Sequence, residues 1–396
     1  MKKLFLLAWP IALAAVSCSN EEVVSVNNDA NEIKFTAVAE NATRANTTET
    51  FCNYKLPGDF KVWACTNNGK SYFEGVTYTE TSGEWKAPAE NLRFWPNKSG
   101  ESLDFYAMRN YGTLTSWDAD GTAKIVTNFT VEDDVASQLD FIYAVATKQT
   151  KPAATEDQPH KGDVALNFRH ALSQIVFKAR NTNKNLAVKI TNVGVINVAN
   201  TATCTLPTAS TDLNCTTHTT PVNVPNSVCT WSGWGDAKKD YSVDTKECMM
   251  TGETSTDVDL TNSVDADDNT RNFDKSMLLI PQTIVKAAIG KDEANKPSKI
   301  ATEGTGSMIA VTCQIWNLNT ANDKNGDDVE LFNSVAYIPL EAITWEPGKK
   351  YIYTLVFGKA NGGYDGDGND VLVPVSFTVT VDDFTPVVEK DVNMNL

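Results

Sequence analysis

The chain has 396 residues, a formal charge of −16, and 41% apolar against 21% charged residues. That length suits two domains of ordinary size, each able to bury a core, and the balance is globular rather than disordered. The acidic surplus argues against nucleic acid and against an anionic membrane surface as partners.

Lys2 and Lys3 precede an apolar run from Leu4 to Val16 that only Pro10 interrupts. The run is too short to cross a bilayer and reads as a signal peptide over residues 1–17. Ala15-Val16-Ser17-Cys18 ends it with small residues and a cysteine, which resembles a bacterial lipobox, although Ala15 stands where Leu is usual. Cys18 is therefore the expected lipidation site. Palmitate-type chains contribute about 0.8 kcal/mol per buried methylene, so several of them anchor a protein firmly. Residues 18–31 read as a polar linker, with Glu21 and Glu22 close behind the anchor.

In Glu32 to Ala45, Ile33, Phe35, Ala37 and Ala39 are apolar at period two. Lys34 and Thr36 face the other way, and Val38 spoils the alternation. This is the pattern of a half-buried strand. The following run, Asn41-Ala-Thr-Arg-Ala-Asn-Thr-Thr, is too poor in large apolar groups to pack. Its lone basic residue offers the Arg44–Ala45 bond to a trypsin-like protease. A first strand with a cuttable hinge behind it is a removable part.

Downstream, alternating segments recur at Phe60–Ala64, Tyr72–Tyr78, Glu84-Trp85, Leu92–Pro96, Leu103–Ala107, Asp140–Ala146 and Val164–Phe168. Phe168 to Ala179 bridges into a second set at Leu186–Ile190, Val193–Ile196, Met277–Thr283, Ser307–Trp316, Leu331–Ile338, Tyr351–Phe357 and Val373–Val381. Short strands with turn residues every 8–12 positions predict an all-β chain built as β-sandwiches. The expected division is an N-terminal domain over 32–168 and a C-terminal domain over 169–396. The latter carries a polar insertion at about 199–274, with Cys204, Cys215, Cys229, Cys248, Trp231 and Trp234 and few strand signals.

Cys313 falls on the apolar face of a strand and reads as an inert buried thiol. Cys52, Cys65, Cys204, Cys215, Cys229 and Cys248 then form an even set in an exported chain. Six cysteines allow fifteen pairings, with sequence neighbours such as Cys204 and Cys215 among them.

Several motifs carry a resemblance. Thr43-Arg44 follows the first strand, and Phe94-Trp95-Pro96 precedes Leu103-Asp-Phe105-Tyr-Ala107. After these come Asp140-Phe-Ile-Tyr143-Ala144, Phe168-Arg-His170-Ala-Leu172-Ser, Leu279-Ile-Pro-Gln282-Thr283 and Trp345-Glu-Pro-Gly348-Lys-Lys-Tyr351-Ile-Tyr353. Taken in this order across nearly the whole mature chain, they resemble the fimbrillin family, which supplies type V pilus subunits and related surface lipoproteins. The resemblance implies two tandem transthyretin-like Greek-key β-sandwich domains and display on the outer membrane. It implies cleavage after Arg44 by a trypsin-like surface protease and incorporation into a fimbrium with copies of itself or related pilins. In that scheme Ile33, Phe35, Ala37 and Ala39 fill a groove until cleavage, and a strand from a neighbour then takes their place.

The residues offer a donor. Val388, Val392, Met394 and Leu396 line one face of an alternating C-terminal tail that Lys390 interrupts. Burying these four side chains is worth on the order of 6–12 kcal/mol before ordering costs. A strand given to the next copy is a head-to-tail contact and builds a filament. The expected function is a structural subunit of an adhesive fimbria, its host or bacterial ligand unidentified. The alternatives are a lipid-anchored module that binds glycan or host protein without polymerising, and an anchor or tip pilin.

Catalysis has little support. His160, His170 and His218 are the only histidines, and no G-x-S-x-G, H-E-x-x-H or P-loop is present. Asp323–Asp328 copies the start of a calcium loop, but Ser334 holds the twelfth position where Glu is needed. The acidic runs 365–370 and 265–269 are equally well explained as turns. No enzyme activity, cofactor or metal is expected. Trp117, Trp231 and Trp234 read as loop anchors more readily than as a sugar platform.

Overall fold

The computed structural model describes residues 31–39, 58–97, 100–151, 163–211, 227–263, 273–274, 276–287, 306–318, 328–358 and 375–383. Their regular structure is strand apart from two single-turn 3₁₀ segments, Ala89–Asn91 and Val135–Ser137. In chain order the first strands are β1 (Phe35–Ala39), β2 (Phe60–Thr66), β3 (Ser71–Thr81), β4 (Glu84–Lys86), β5 (Leu103–Arg109), β6 (Thr113–Trp117), β7 (Ile125–Thr130), β8 (Ile142–Gln149) and β9 (Val164–His170). Next come β10 (Ser173–Asn181), β11 (Leu186–Ala199), β12 (Thr201–Thr205), β13 (Thr230–Ser232) and β14 (Lys238–Thr251). The short pieces β15 (Val258–Asp259), β16 (Asn262–Ser263), β17 (Phe273–Asp274), β18 (Met277–Leu279) and β19 (Thr283–Ile284) follow. The last are β20 (Met308–Asn317), β21 (Val329–Pro339), β22 (Ile343–Thr344), β23 (Lys349–Phe357) and β24 (Val375–Asp383). The all-β expectation holds.

Strands β1-β4-β3-β2-β5-β8-β9 close into a barrel. Its interior is aromatic: Phe35, Phe60, Phe73, Tyr78, Trp95, Phe105 and Phe168 share one buried cluster. Strands β2, β5 and β8 are covered on both faces. Their alternate side chains Trp63, Cys65, Tyr106, Met108, Tyr143 and Val145 belong to a second cluster that extends through the rest of the molecule. This is why these segments are nearly continuous apolar runs instead of clean alternations.

That second cluster also holds the inward faces of two further sheets, β15-β10-β23-β24 with β18 also on β10, and β14-β11-β20-β21. The chain passes from barrel to these sheets at Ala171-Leu172. There the Ala171 N–H donates to the Phe141 carbonyl at 2.8 Å, and Leu172 O accepts from the Gly348 N–H at 2.9 Å. A fourth sheet, β13-β12-β7-β6, combines strands from both sides of residue 169, with β7 antiparallel to β12 from Thr130↔Thr201 to Val126↔Thr205.

The motifs that carry the family resemblance turn out to be couplers of these layers. Asp140 Oδ2 lies 2.6 Å from His170 Nδ1, tying the start of β8 to the end of β9 where the chain leaves the barrel. Gln282 bonds both backbone groups of Ala199, and the Gln282 carbonyl accepts from the Trp345 N–H at 2.9 Å. The Trp345 indole donates to the Tyr353 hydroxyl at 2.9 Å, and the Tyr351 hydroxyl accepts from the Glu346 N–H at 2.8 Å.

Two differences from the sequence reading concern the stretch 199–274 and Leu92–Pro96. The first, read as poor in strands, contains the fourteen-residue β14, which pairs with β11 along most of its length. Tyr241, Val243 and Thr245 alternate inward there, while Ser242 and Asp244 between them face out. The second is an extended arm, with a single bridge from Phe94 to Glu32 in place of a ladder. Strands β6 and β7 of the fourth sheet likewise match none of the segments read from the sequence.

Candidate functional site

The site is the seat of β1. On one side β1 runs parallel to β9 over five residue pairs, from Phe35↔Val164 to Ala39↔Phe168. On the other it meets β4 antiparallel at Phe35↔Trp85 alone. The barrel is closed because β1 bridges these two strands. The clasp continues upstream of the strand: the Ile33 N–H donates to Arg93 O and the Trp95 N–H to Asn31 O, each at 2.8 Å. The Val164 N–H adds a bond to Lys34 O at 2.9 Å.

Side chains follow the alternation read from the sequence. Ile33 is 1% exposed and Phe35 2%, Thr36 faces solvent, and Ala37 packs half-buried against the barrel core. The Phe35 ring meets Tyr78 edge-on at 4.8 Å and Phe105 edge-on at 5.3 Å. Trp95 meets Phe105 edge-on at 5.8 Å, and the Tyr72 hydroxyl donates to Phe94 O at 2.6 Å. The Phe94-Trp95 motif thus fixes the arm against which β1 begins. Burial holds the Tyr78 phenol well above its ordinary 10.0, with Glu32 adding to the effect and Arg93 opposing it. Between β1 and the β3–β4 hairpin lies an open cleft of about 800 Å³, lined in part by Lys34, Thr36, Ser82, Trp85, Ala87 and Leu92.

What this arrangement can do is hold or release a strand. Burying Ile33 and Phe35 is worth about 3–6 kcal/mol, at roughly 1.5–3 kcal/mol per large apolar side chain. Taking β1 away would bare the Phe35 pocket and leave the β9 backbone without its neighbour, and both are costly in water.

Of the residues singled out by sequence, the structure places Ile33, Phe35 and Ala37 at this seat and pairs the Ala39 backbone with Phe168. Cys18, Arg44, Ala45, Val388, Val392, Met394 and Leu396 lie outside the described residues, as do His160, His218 and the acidic runs at 265–269 and 365–370. Among the described residues, no three His, Cys, Asp or Glu side chains gather as a cation site. Trp117 and Trp231 pack against Tyr106 and against Phe129 and Phe141. Trp234, 44% exposed, is tied by its indole N–H to Pro281 O at 2.9 Å. Sequence reasoning missed Tyr78, Trp85 and Arg93 as walls of the seat. Tyr78 was visible as the end of an alternating strand, whereas nothing local marks Arg93, which contributes its carbonyl.

A family model described as fimbrillin-like matches residues 43–383, and the chain belongs to that family. Among solved structures, a fimbrial protein from Bacteroides vulgatus is similar at 15% identity and a TM-score of 0.48, over 88% of this chain and 99% of its own. The tip fimbrial protein Mfa3 from Porphyromonas gingivalis, solved with a C-terminal truncation, is similar at 11% identity and a TM-score of 0.33, over 83% of this chain and 94% of its own. A search of curated proteins returns no significant match.

Proposed function

We propose that this chain is a structural subunit of a cell-surface fimbria, assembled by donor-strand exchange at the seat of β1 and supporting adhesion. The family supports the fimbrial role. The observation that carries the exchange is that β1 closes the barrel while holding β4 through one residue pair, so that it can leave without dismantling the strands beside it. In this reading Cys18 bears the lipid that keeps the immature chain on the outer membrane. A trypsin-like protease cuts Arg44–Ala45, which severs β1 from the strands that follow, and β1 departs. The Val388–Leu396 tail of a neighbouring subunit then fills the vacated groove with Val388, Val392, Met394 and Leu396, restoring the buried contacts and the backbone pairing. The contact is heterologous, so repetition gives a fibre. We place the division between the two structural units near residue 169, where the chain leaves the barrel.

The test is limited trypsin digestion of the detergent-solubilised full chain, followed by N-terminal sequencing and electron microscopy. A product beginning at Ala45 that grows into filaments supports the reading. A product cut at Arg44 that stays monomeric overturns polymerisation and favours a lipid-anchored binding module.

A further inference from the structure

Two cysteines far from the β1 seat stand together in the core. Cys204 lies on β12, opposite Trp231 of β13, and Thr205 lies opposite Thr230. Cys229 immediately precedes that ladder and falls opposite Leu206. Along β12 and just past it, Ala202, Cys204 and Leu206 are buried while Thr203 and Thr205 are not, so Cys204 points inward. Cys229 is buried and Thr230 exposed, so Cys229 points to the same interior. Its N–H donates to the buried Tyr143 hydroxyl at 2.9 Å, which holds this residue against the core. Both thiols belong to one apolar cluster, and the Cys204 thiol is raised first by burial and then by the neighbouring Cys229 thiol. Diagonal neighbours in a regular ladder stand about 7–8 Å apart, slightly more than the roughly 4.4–6.8 Å a disulfide usually spans. Cys229 sits beyond the last paired residue, where it is free of that spacing.

We propose that Cys204 and Cys229 are joined as a disulfide in the exported protein, closing the loop between β12 and β13. The partner chemistry is that of a thiol–disulfide oxidoreductase in its disulfide form. One cysteine thiolate, its proton given to solvent, attacks a carrier sulfur and expels a carrier thiolate. The second cysteine thiolate, its proton also given to solvent, then attacks the first cysteine's sulfur in the mixed disulfide and expels the second carrier thiolate, and both carrier thiolates take up protons. The protein loses two protons and two electrons, and the carrier leaves as a dithiol. Burial pushes the Cys204 thiol well up, so within the folded core it is a poor nucleophile. The bond therefore forms during export, before β12 and β13 are covered. It staples the outer strand of β13-β12-β7-β6, the one sheet among the described residues that draws strands from both sides of residue 169. It is remote from β1, so it stands or falls independently of strand exchange.

The experiment uses the full chain exported by a Gram-negative host, denatured in acid, and labelled with a maleimide before and after reduction. The expected result is a set of reduction-dependent thiols that shrinks by two in Cys204→Ser and in Cys229→Ser and is unchanged in Cys215→Ser. Tandem mass spectrometry of unreduced chymotryptic peptides of the wild type reads the linkage without any variant, and should link Cys204 to Cys229. A link from Cys204 to Cys215, or wild-type chain with Cys204 already free before reduction, overturns the proposal. In a second arm the reduced, folded chain is held in oxidised glutathione and compared with chain refolded from urea in the same buffer. Bridging is expected in the refolded sample and at least tenfold less in the folded one. A refolded chain that keeps both thiols sinks the idea.

Discussion

Phe35→Ala isolates the energetics of the β1 seat. The ring is 2% exposed and lies edge-on to Tyr78 and Phe105 at 4.8 and 5.3 Å. Truncating a buried Phe to Ala costs about 3–5 kcal/mol, which includes the transfer of the ring and the cavity left behind. Beyond the ladder to β9, β1 is held by the 31–33 clasp and by the single pair to Trp85. The loss should therefore fall on local undocking of β1 before it falls on the barrel. At about 1.4 kcal/mol per decade, the population with β1 out of its seat rises roughly a hundred- to several-thousand-fold. Native-state amide hydrogen exchange reads this directly. Amides of β1 and the facing Val164–Phe168 edge should lose protection by that factor, while β5, β11 and β20 change little. Equal loss of protection in β1, β2, β5 and β8 would show that the barrel opens only as a whole, and the removable-strand reasoning would be wrong.

Gly194→Ala should destabilise the β11–β14 pair, because a Cβ there would stand 2.1 Å from the Tyr241 carbonyl oxygen and 2.8 Å from Ser242 Cα. Overpacking of this kind costs about 1–3 kcal/mol, read as a lower urea midpoint with an unchanged slope. Arg169→Met should be neutral or stabilising. The guanidinium is buried, Nη1 has only Ser227 Oγ at 3.3 Å, and Nε and Nη2 have no hydrogen-bond partner among the described residues. A loss above about 2 kcal/mol in the same titration would contradict that account, since replacing a poorly compensated buried charge by an apolar side chain is commonly favourable. Stability should also fall on the alkaline side. Burial pushes the Cys313 thiol from 9.0 to about 12. The unfolded chain therefore gives up that proton from near pH 9 while the native chain keeps it. The contribution is intact below pH 9 and is lost progressively as pH rises towards 12, with the buried tyrosines acting in the same direction from 10.0 upward. Urea midpoints at pH 8 and pH 11 measure it, and equal midpoints would refute it.

Period-two alternation made β1 legible because its two faces meet different surroundings: Ile33 and Phe35 turn to the barrel interior, and Thr36 turns to water. Local strand signals, alternating or continuously apolar, likewise located β2, β5, β8, β20, β21 and β23 to within a few residues. They failed for β14, where a polar composition concealed the inward row of Tyr241, Val243 and Thr245. They also failed for β7, whose partner β12 lies more than seventy positions away in sequence. Local sequence therefore determined that the chain is all-β, that its first segment is an amphipathic strand, and which motifs it shares with fimbrillins. Only the tertiary structure decided that β1 sits between β9 and β4 and closes the barrel, and that Cys204 and Cys229 share one buried cluster. Pairing and closure depend on residues brought together from distant parts of the chain, and a strand's own pattern says which face is buried without saying against whom.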